Sequence, residues 1–87
     1  MRPLNYAILK HLESVPFASP TDVIEALKGE YGSFKALRFE GVRESLMTAE
    51  QNGLLEEDHY DLDDQENLHI YYRVTDYGRS MIDKYIK

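Results

Sequence analysis

The sequence contains no cysteine, which excludes disulfide bonds and metal sites built on thiolate ligands. It also has no long apolar run, and its N-terminal segment lacks the small-residue cleavage site of a signal peptide. A membrane-spanning helix needs about 20 predominantly apolar residues in a row, so neither a membrane span nor a secretory leader is expected. These absences predict a cytoplasmic protein without membrane contact.

Basic residues are also scarce. Ten lysines and arginines stand against 16 aspartates and glutamates, which gives a net charge of -6. Proteins that bind nucleic acid through its phosphates usually carry the opposite balance. The hydrophobic content of 43% is that of a globular protein and excludes a disordered chain. Because 87 residues can bury only one modest core, we expect a single domain over residues 1–87.

The stretch over residues 35–55 has the clearest helical pattern. Its apolar residues recur on one face of a helical wheel, which predicts a buried face made of Phe39, Val42, Leu46 and Ala49. The opposite, outward face carries Glu40, Glu44, Met47, Thr48 and Gln51. Asn52-Gly53 predicts the end of the helix, because glycine readily adopts the left-handed conformation, and Leu54-Leu55 then return to the core.

Five further elements are predicted around this third helix. The first helix covers residues 3–14, and Ser19-Pro20-Thr21-Asp22 is typical of the start of a second helix that reaches Tyr31. Two antiparallel strands, residues 56–60 and 68–74, flank a polar loop over 61–67, and Thr75 caps a last helix over 76–86. The side chains expected to be buried or half-buried in the second strand and last helix are Leu68, Ile70, Tyr72, Val74, Tyr77, Met81, Ile82, Tyr85 and Ile86.

Two segments of the chain resemble the winged helix-turn-helix domains of MarR- and PadR-type bacterial regulators. The first contains Leu46, Ala49 and Asn52-Gly53-Leu54-Leu55-Glu56 at the end of the third helix. The second, Tyr72-Arg73-Val74-Thr75-Asp76-Tyr77-Gly78-Arg79, enters the last helix with the threonine, acidic residue and glycine that are common in the family. The resemblance implies an α+β winged helix-turn-helix fold: three helices, a two-stranded β-hairpin wing and a C-terminal helix.

The same resemblance implies a transcription regulator that binds double-stranded DNA. The third helix would enter the major groove, and the wing would touch the flanking backbone or minor groove. A homodimer would gain affinity by occupying two half-sites, although this chain has only one short C-terminal helix where the family dimerises through additional helices. The groove-facing residues implied position by position are Lys35, Arg38, Glu40, Arg43, Glu44 and Met47.

The wing departs from the family pattern. Residues 56–67 contain seven carboxylates and no lysine or arginine, and these carboxylates repel phosphates unless cations intervene. An alternative hypothesis therefore keeps the fold but makes the domain a protein–protein interaction module. In that case the acidic wing and the outward face of the third helix would bind a basic protein partner.

No pattern indicates an enzyme, a cofactor or a metal site. The acidic run from Asp61 to Glu66 lacks the glycine and the distant glutamate of an EF-hand loop. His11, His59 and His69 have no ligand-like spacing, and no phosphate-binding loop, nucleophile motif or acid/base pair is visible. We therefore expect neither catalysis nor a bound cofactor.

Overall fold

Four helices and one antiparallel hairpin follow one another in the predicted order. The computed structural model describes residues 1–87 and contains α1 (Leu4–Ser14), α2 (Pro20–Tyr31), α3 (Phe39–Gln51), β1 (Leu55–Leu62), β2 (Leu68–Val74) and α4 (Asp76–Tyr85). The fold is the expected α+β winged helix-turn-helix, with β1 and β2 as the wing. None of the helices combines the length and apolar character needed to cross a membrane.

The first three helices meet the base of the hairpin in one hydrophobic core. Leu12 of α1, Val23 of α2 and Leu46 of α3 are completely buried there. Fully burying one such side chain contributes about 2 kcal/mol, so this shared core holds α3 firmly in place. The 12 buried residues of the cluster are Leu4, Ala7, Ile8, Leu12, Ala18, Val23, Tyr31, Val42, Leu46, Ala49, Leu55 and Tyr72.

The start of α2 forms as the sequence predicts. Asp22 N donates a hydrogen bond to Ser19 Oγ at 3.2 Å, and Ser19 N donates one to the Asp22 carboxylate at 3.0 Å. Pro20 occupies the first helical position, where a missing N–H costs nothing. This reciprocal cap fixes where α2 begins.

One backbone pairing has no signal in the sequence pattern. Ala18, just before α2, exchanges two hydrogen bonds of 2.9 Å with Tyr72 of β2. Pro16 and Pro20 flank Ala18, so no run of alternating residues identifies a strand there. The pairing adds a third, single-residue strand to the base of the wing.

Two element boundaries differ from the prediction by more than one residue. The third helix begins at Phe39 instead of Lys35, because Phe34 N and Leu37 N donate to carbonyls three residues earlier and form successive tight turns. β1 continues to Leu62, so the loop is shortened to residues 63–67. The hairpin register also shifts between Glu57 and His59, which is a β-bulge at Asp58.

Four side chains predicted to be buried or half-buried are largely exposed. Phe39 is 45% exposed, Leu68 is 53% exposed and Tyr85 is 61% exposed, and Tyr77 is exposed as well. Each lies at or next to the end of its helix or strand. Periodicity identifies the inward face of an element, but it does not reveal how far the neighbouring elements extend to cover that face.

A close backbone contact joins α4 to the turn after α3. Gly78 is buried in the first turn of α4, and a Cβ atom added to it would lie 2.0 Å from the Leu54 carbonyl oxygen. Gly78 N donates to Thr75 Oγ1 at 2.8 Å, and Thr75 Oγ1 donates to the Gly53 carbonyl at 2.7 Å. Gly53 has a φ of 81°, the left-handed conformation predicted for the end of α3. Only glycine fits at position 78.

We expect Gly78→Ala to lower the free energy of unfolding by about 3 kcal/mol, because the new methyl group must displace the backbone at Leu54. Chemical denaturation followed by circular dichroism measures the change. Gly29→Ala is the control: nothing lies within 4 Å of a Cβ added to Gly29 within α2, so alanine should stabilise the protein by up to about 1 kcal/mol. A harmless Gly78→Ala would contradict the close contact.

Candidate nucleic-acid interface

The residues that the resemblance assigns to DNA contact lie on two adjoining segments. Those on α3 are Glu40, Arg43, Glu44 and Met47, and those in the turn before it are Lys35 and Arg38. All six are exposed. Because the opposite side of α3 is anchored in the core by Val42, Leu46 and Ala49, the helix presents this face to solvent in one fixed orientation.

Positive charge gathers at the N-terminal end of α3. Lys35 and Arg38 form no ion pair, and no side chain caps the helix, whose N-terminus carries a partial positive charge. Arg43, one turn further along, lies 3.6 Å from a Glu40 carboxylate oxygen. An exposed pair of this kind is weak, so Arg43 remains available to a competing anion. This end of α3 is where an anionic ligand would be attracted.

Arg73 is the only lysine or arginine of the hairpin, and the sequence pattern did not single it out as a functional residue. Its guanidinium group lies 2.6 Å from a Glu56 carboxylate oxygen and 3.1 Å from an Asp58 oxygen. Glu56, assisted by Asp58, raises the pKa of Arg73 above its ordinary value. The register that places Glu56 opposite Arg73 is the signal that predicts this pairing. The one strong cation of the wing is therefore neutralised.

Aromatic side chains pack beside this ion pair. The ring of His59 stacks on Tyr71 with 4.4 Å between centroids, and Phe17 meets both rings edge-on. His59 Nδ1 lies 2.6 Å from an Asp58 carboxylate oxygen. The hydrogen bond with His59, together with Arg73, lowers the pKa of Asp58 below its ordinary value. On this face of the wing, which we call the outer face, the charged groups are ion-paired or hydrogen-bonded and the aromatic rings pack on one another.

The loop at the tip of the wing is organised by one carboxylate. Asp63 accepts hydrogen bonds from Gln65 N at 2.8 Å and Asn67 N at 2.9 Å, and it lies 3.1 Å from His69 Nε2. The bond from Asn67, followed by that from His69, lowers the pKa of Asp63 to about 2. Within the acidic run, Asp63 thus has a structural role in stabilising the loop. No group of three or more potential ligand side chains is arranged to hold a metal ion.

The sequence matches no protein-family model, and no curated protein matches it significantly. Solved structures do match. PadR from Bacillus subtilis, crystallised in complex with operator DNA, superposes with a TM-score of 0.76 at 24% identity, over 99% of this chain and 48% of that chain. This chain therefore spans about half the length of that protein.

Two further solved structures are similar. A PadR-like transcriptional regulator from Bacillus cereus has a TM-score of 0.71 at 16% identity, over 93% of this chain and 75% of its own. A PadR-like transcription factor from Bacteroides fragilis has a TM-score of 0.72 at 26% identity, over 93% of this chain and 74% of its own. The fold is a PadR-like winged helix, which this chain shares with PadR in complex with operator DNA and with two PadR-like transcription regulators.

We expect the hydrogen bonds of the wing loop to survive until unusually low pH. Because folding depresses the pKa of Asp63 from 3.8 to about 2, its stabilising effect is present above pH 3.8 and is lost as the pH falls through about 2. An NMR titration of the Asp63 carboxyl carbon and of the Gln65 and Asn67 amides measures this midpoint. His69→Ala removes one hydrogen bond to Asp63 and should raise the midpoint of the Asp63 titration. A midpoint near 3.8 in the unmodified protein would contradict the loop geometry.

Proposed function

We propose that this chain is a DNA-binding transcription regulator that places α3 in the major groove. The observation that carries the proposal is the exposed face of α3, with its free cations at the N-terminal end, in a PadR-like fold. The complex of Bacillus subtilis PadR with operator DNA supports it, since that protein has the same fold over almost the whole of this chain. Such a regulator would act in the cytoplasm of a bacterial cell, with residues 1–87 forming one DNA-binding domain.

The side chains divide by the chemistry that each offers to DNA. Lys35 and Arg38 suit phosphates at the edge of the groove, and Arg43 can reach either a phosphate or a guanine. Glu40 and Glu44 can only accept hydrogen bonds, so they favour cytosine N4. Met47 offers an apolar contact, which suits a thymine methyl group. Recognition would therefore depend on few cations and a short sequence.

The wing contributes little to this complex. Its carboxylates repel the DNA backbone, and its one arginine is held by Glu56 and Asp58. A single domain that binds through α3 alone has low affinity, because it neutralises only a few phosphates and each contributes only part of the binding free energy. We therefore propose a homodimer that occupies two half-sites about one helical turn apart.

Removing a cation from α3 or its leading turn should weaken DNA binding. We expect Arg43→Ala and Lys35→Ala each to lower the affinity for duplex DNA about threefold to tenfold and to reduce the salt slope by about 0.9 per lost phosphate contact. Fluorescence anisotropy with labelled duplex over a series of salt concentrations measures both quantities.

Lys28→Ala is the matched control for this experiment. Lys28 is also exposed and paired with a glutamate three residues away, but it lies in the last turn of α2. Its replacement should leave the slope unchanged. If Arg43→Ala leaves the affinity untouched, the assignment of the reading face is wrong.

Releasing Arg73 should strengthen DNA binding. The double variant Glu56→Gln and Asp58→Asn removes two charges and frees the guanidinium group, whereas Asp64→Asn with Glu66→Gln removes two charges and frees nothing. We expect an increase in affinity of about tenfold for the first variant and about threefold for the second, by the same anisotropy assay. Equal gains would mean that Arg73 does not reach the DNA.

A further inference from the structure

The inner face of the wing is apolar from Tyr60 out to its tip. Directly paired residues of antiparallel strands lie on the same face, so the Leu62–Leu68 and Tyr60–Ile70 pairs bring four apolar side chains together. This face continues that of Tyr72, which enters the core. Tyr60 is 68% exposed and Leu62 is 60% exposed, so the apolar surface extends well beyond the core that begins it.

A groove separates this inner face from α3. Phe39 and Met47 line it from the helix, Leu68 and Ile70 line it from β2, and it encloses about 380 Å³. Phe39, Met47 and Leu68 are all exposed. A concave groove of this volume with an apolar lining is a typical setting for a binding site.

The rim of the groove is negatively charged. Glu50 of α3 and Glu57 of β1 line it directly, and Glu40 and Glu44 lie on the adjoining outward face of α3. Arg43 is the only lysine or arginine in the lining, and Glu40 lies 3.6 Å from it. An apolar floor within an acidic rim is complementary to a chain segment with an apolar stripe and basic flanks.

We propose that this groove binds a basic amphipathic helix from another protein. Its apolar side chains would pack against Met47 and Leu68, and its lysines or arginines would pair with Glu50 and Glu57. The wing side of the groove suits DNA poorly, because phosphates are repelled by Glu57 and gain nothing from Leu68 and Ile70.

The docking goes beyond DNA binding and does not depend on it. A helix in the groove would nevertheless cover Arg43 and Met47, two residues that the DNA complex needs on α3. Partner and DNA would therefore compete for one surface. A bound basic partner would therefore displace DNA from α3, a consequence that rests on the proposed regulator function.

The test uses a fluorescent 18-residue peptide of lysine and leucine with leucines at helical spacing, and a scrambled peptide of the same composition. We expect the amphipathic peptide to bind at least about tenfold more tightly at physiological salt, with amide shifts at Phe39, Met47, Leu68 and Ile70. Met47→Gln with Leu68→Ser should weaken it by about tenfold, because central apolar anchors dominate such interfaces. Glu57→Gln should weaken it about threefold.

Controls separate the groove from general charge attraction. Tyr85→Ser removes an exposed aromatic ring from α4, and Glu30→Gln removes an acidic charge at the end of α2 away from Pro20, the α2 residue that lines the groove, so neither should alter binding. Circular dichroism checks that each variant is folded. Equal binding of the two peptides, or shifts that avoid the groove, would overturn the proposal.

Two other occupants are distinguished in the same experiment. Shifts at Leu68 and Ile70 that depend on protein concentration would identify a second copy, and shifts there with duplex DNA but not with peptide would identify DNA. Either result would overturn the proposal. Loss of DNA binding with intact peptide binding would leave the groove assignment standing and refute only the regulator function.

Discussion

The contact between Gly78 and the Leu54 carbonyl joins α4 to the turn between α3 and the wing. At this point the side chain of Thr75 hydrogen-bonds both the turn that ends α3 and the first turn of α4. Thr75 N also donates to Leu54 O at 3.0 Å, so the end of β2 is tied to the same carbonyl. Because two backbone segments in such close contact cannot shift past each other, α3 and the base of the wing leave this junction in fixed directions.

The two faces of the wing differ in whether their side chains have partners. On the outer face, Glu56 and Asp58 pair with Arg73, and Asp58 and Asp63 are hydrogen-bonded to His59 and His69, so these carboxylates already have partners. On the inner face, apolar side chains beyond Ile70 have none. The acidic composition of the hairpin is therefore a poor guide to its binding properties. Successive residues of a strand lie on opposite faces, so a strand that is acidic on average can still have one apolar face.

Local chemistry made most of the fold predictable, whereas contacts between distant segments did not. Ser19 and Thr75 are caps whose geometry is fixed by neighbours within three residues, and both formed as predicted. The Ala18–Tyr72 bridge and the exposure of Phe39 depend on where other elements end, which no periodic pattern records. For the candidate site, the outward face of α3 was predictable, but the pairing of Arg73 required the strand register, and the groove required the packing of the wing beside α3.

The bulge at Asp58 divides the wing into two parts with unequal support. Below it, Tyr72 is hydrogen-bonded to Ala18 and buried in the core; above it, each strand has only the other as a partner. An isolated two-stranded hairpin is marginally stable in water, and a bulge bends the strand that carries it. The tip can therefore open and re-form on its own while the base stays closed. A molecule bound at the tip can therefore change the strand pairing there while the core stays folded.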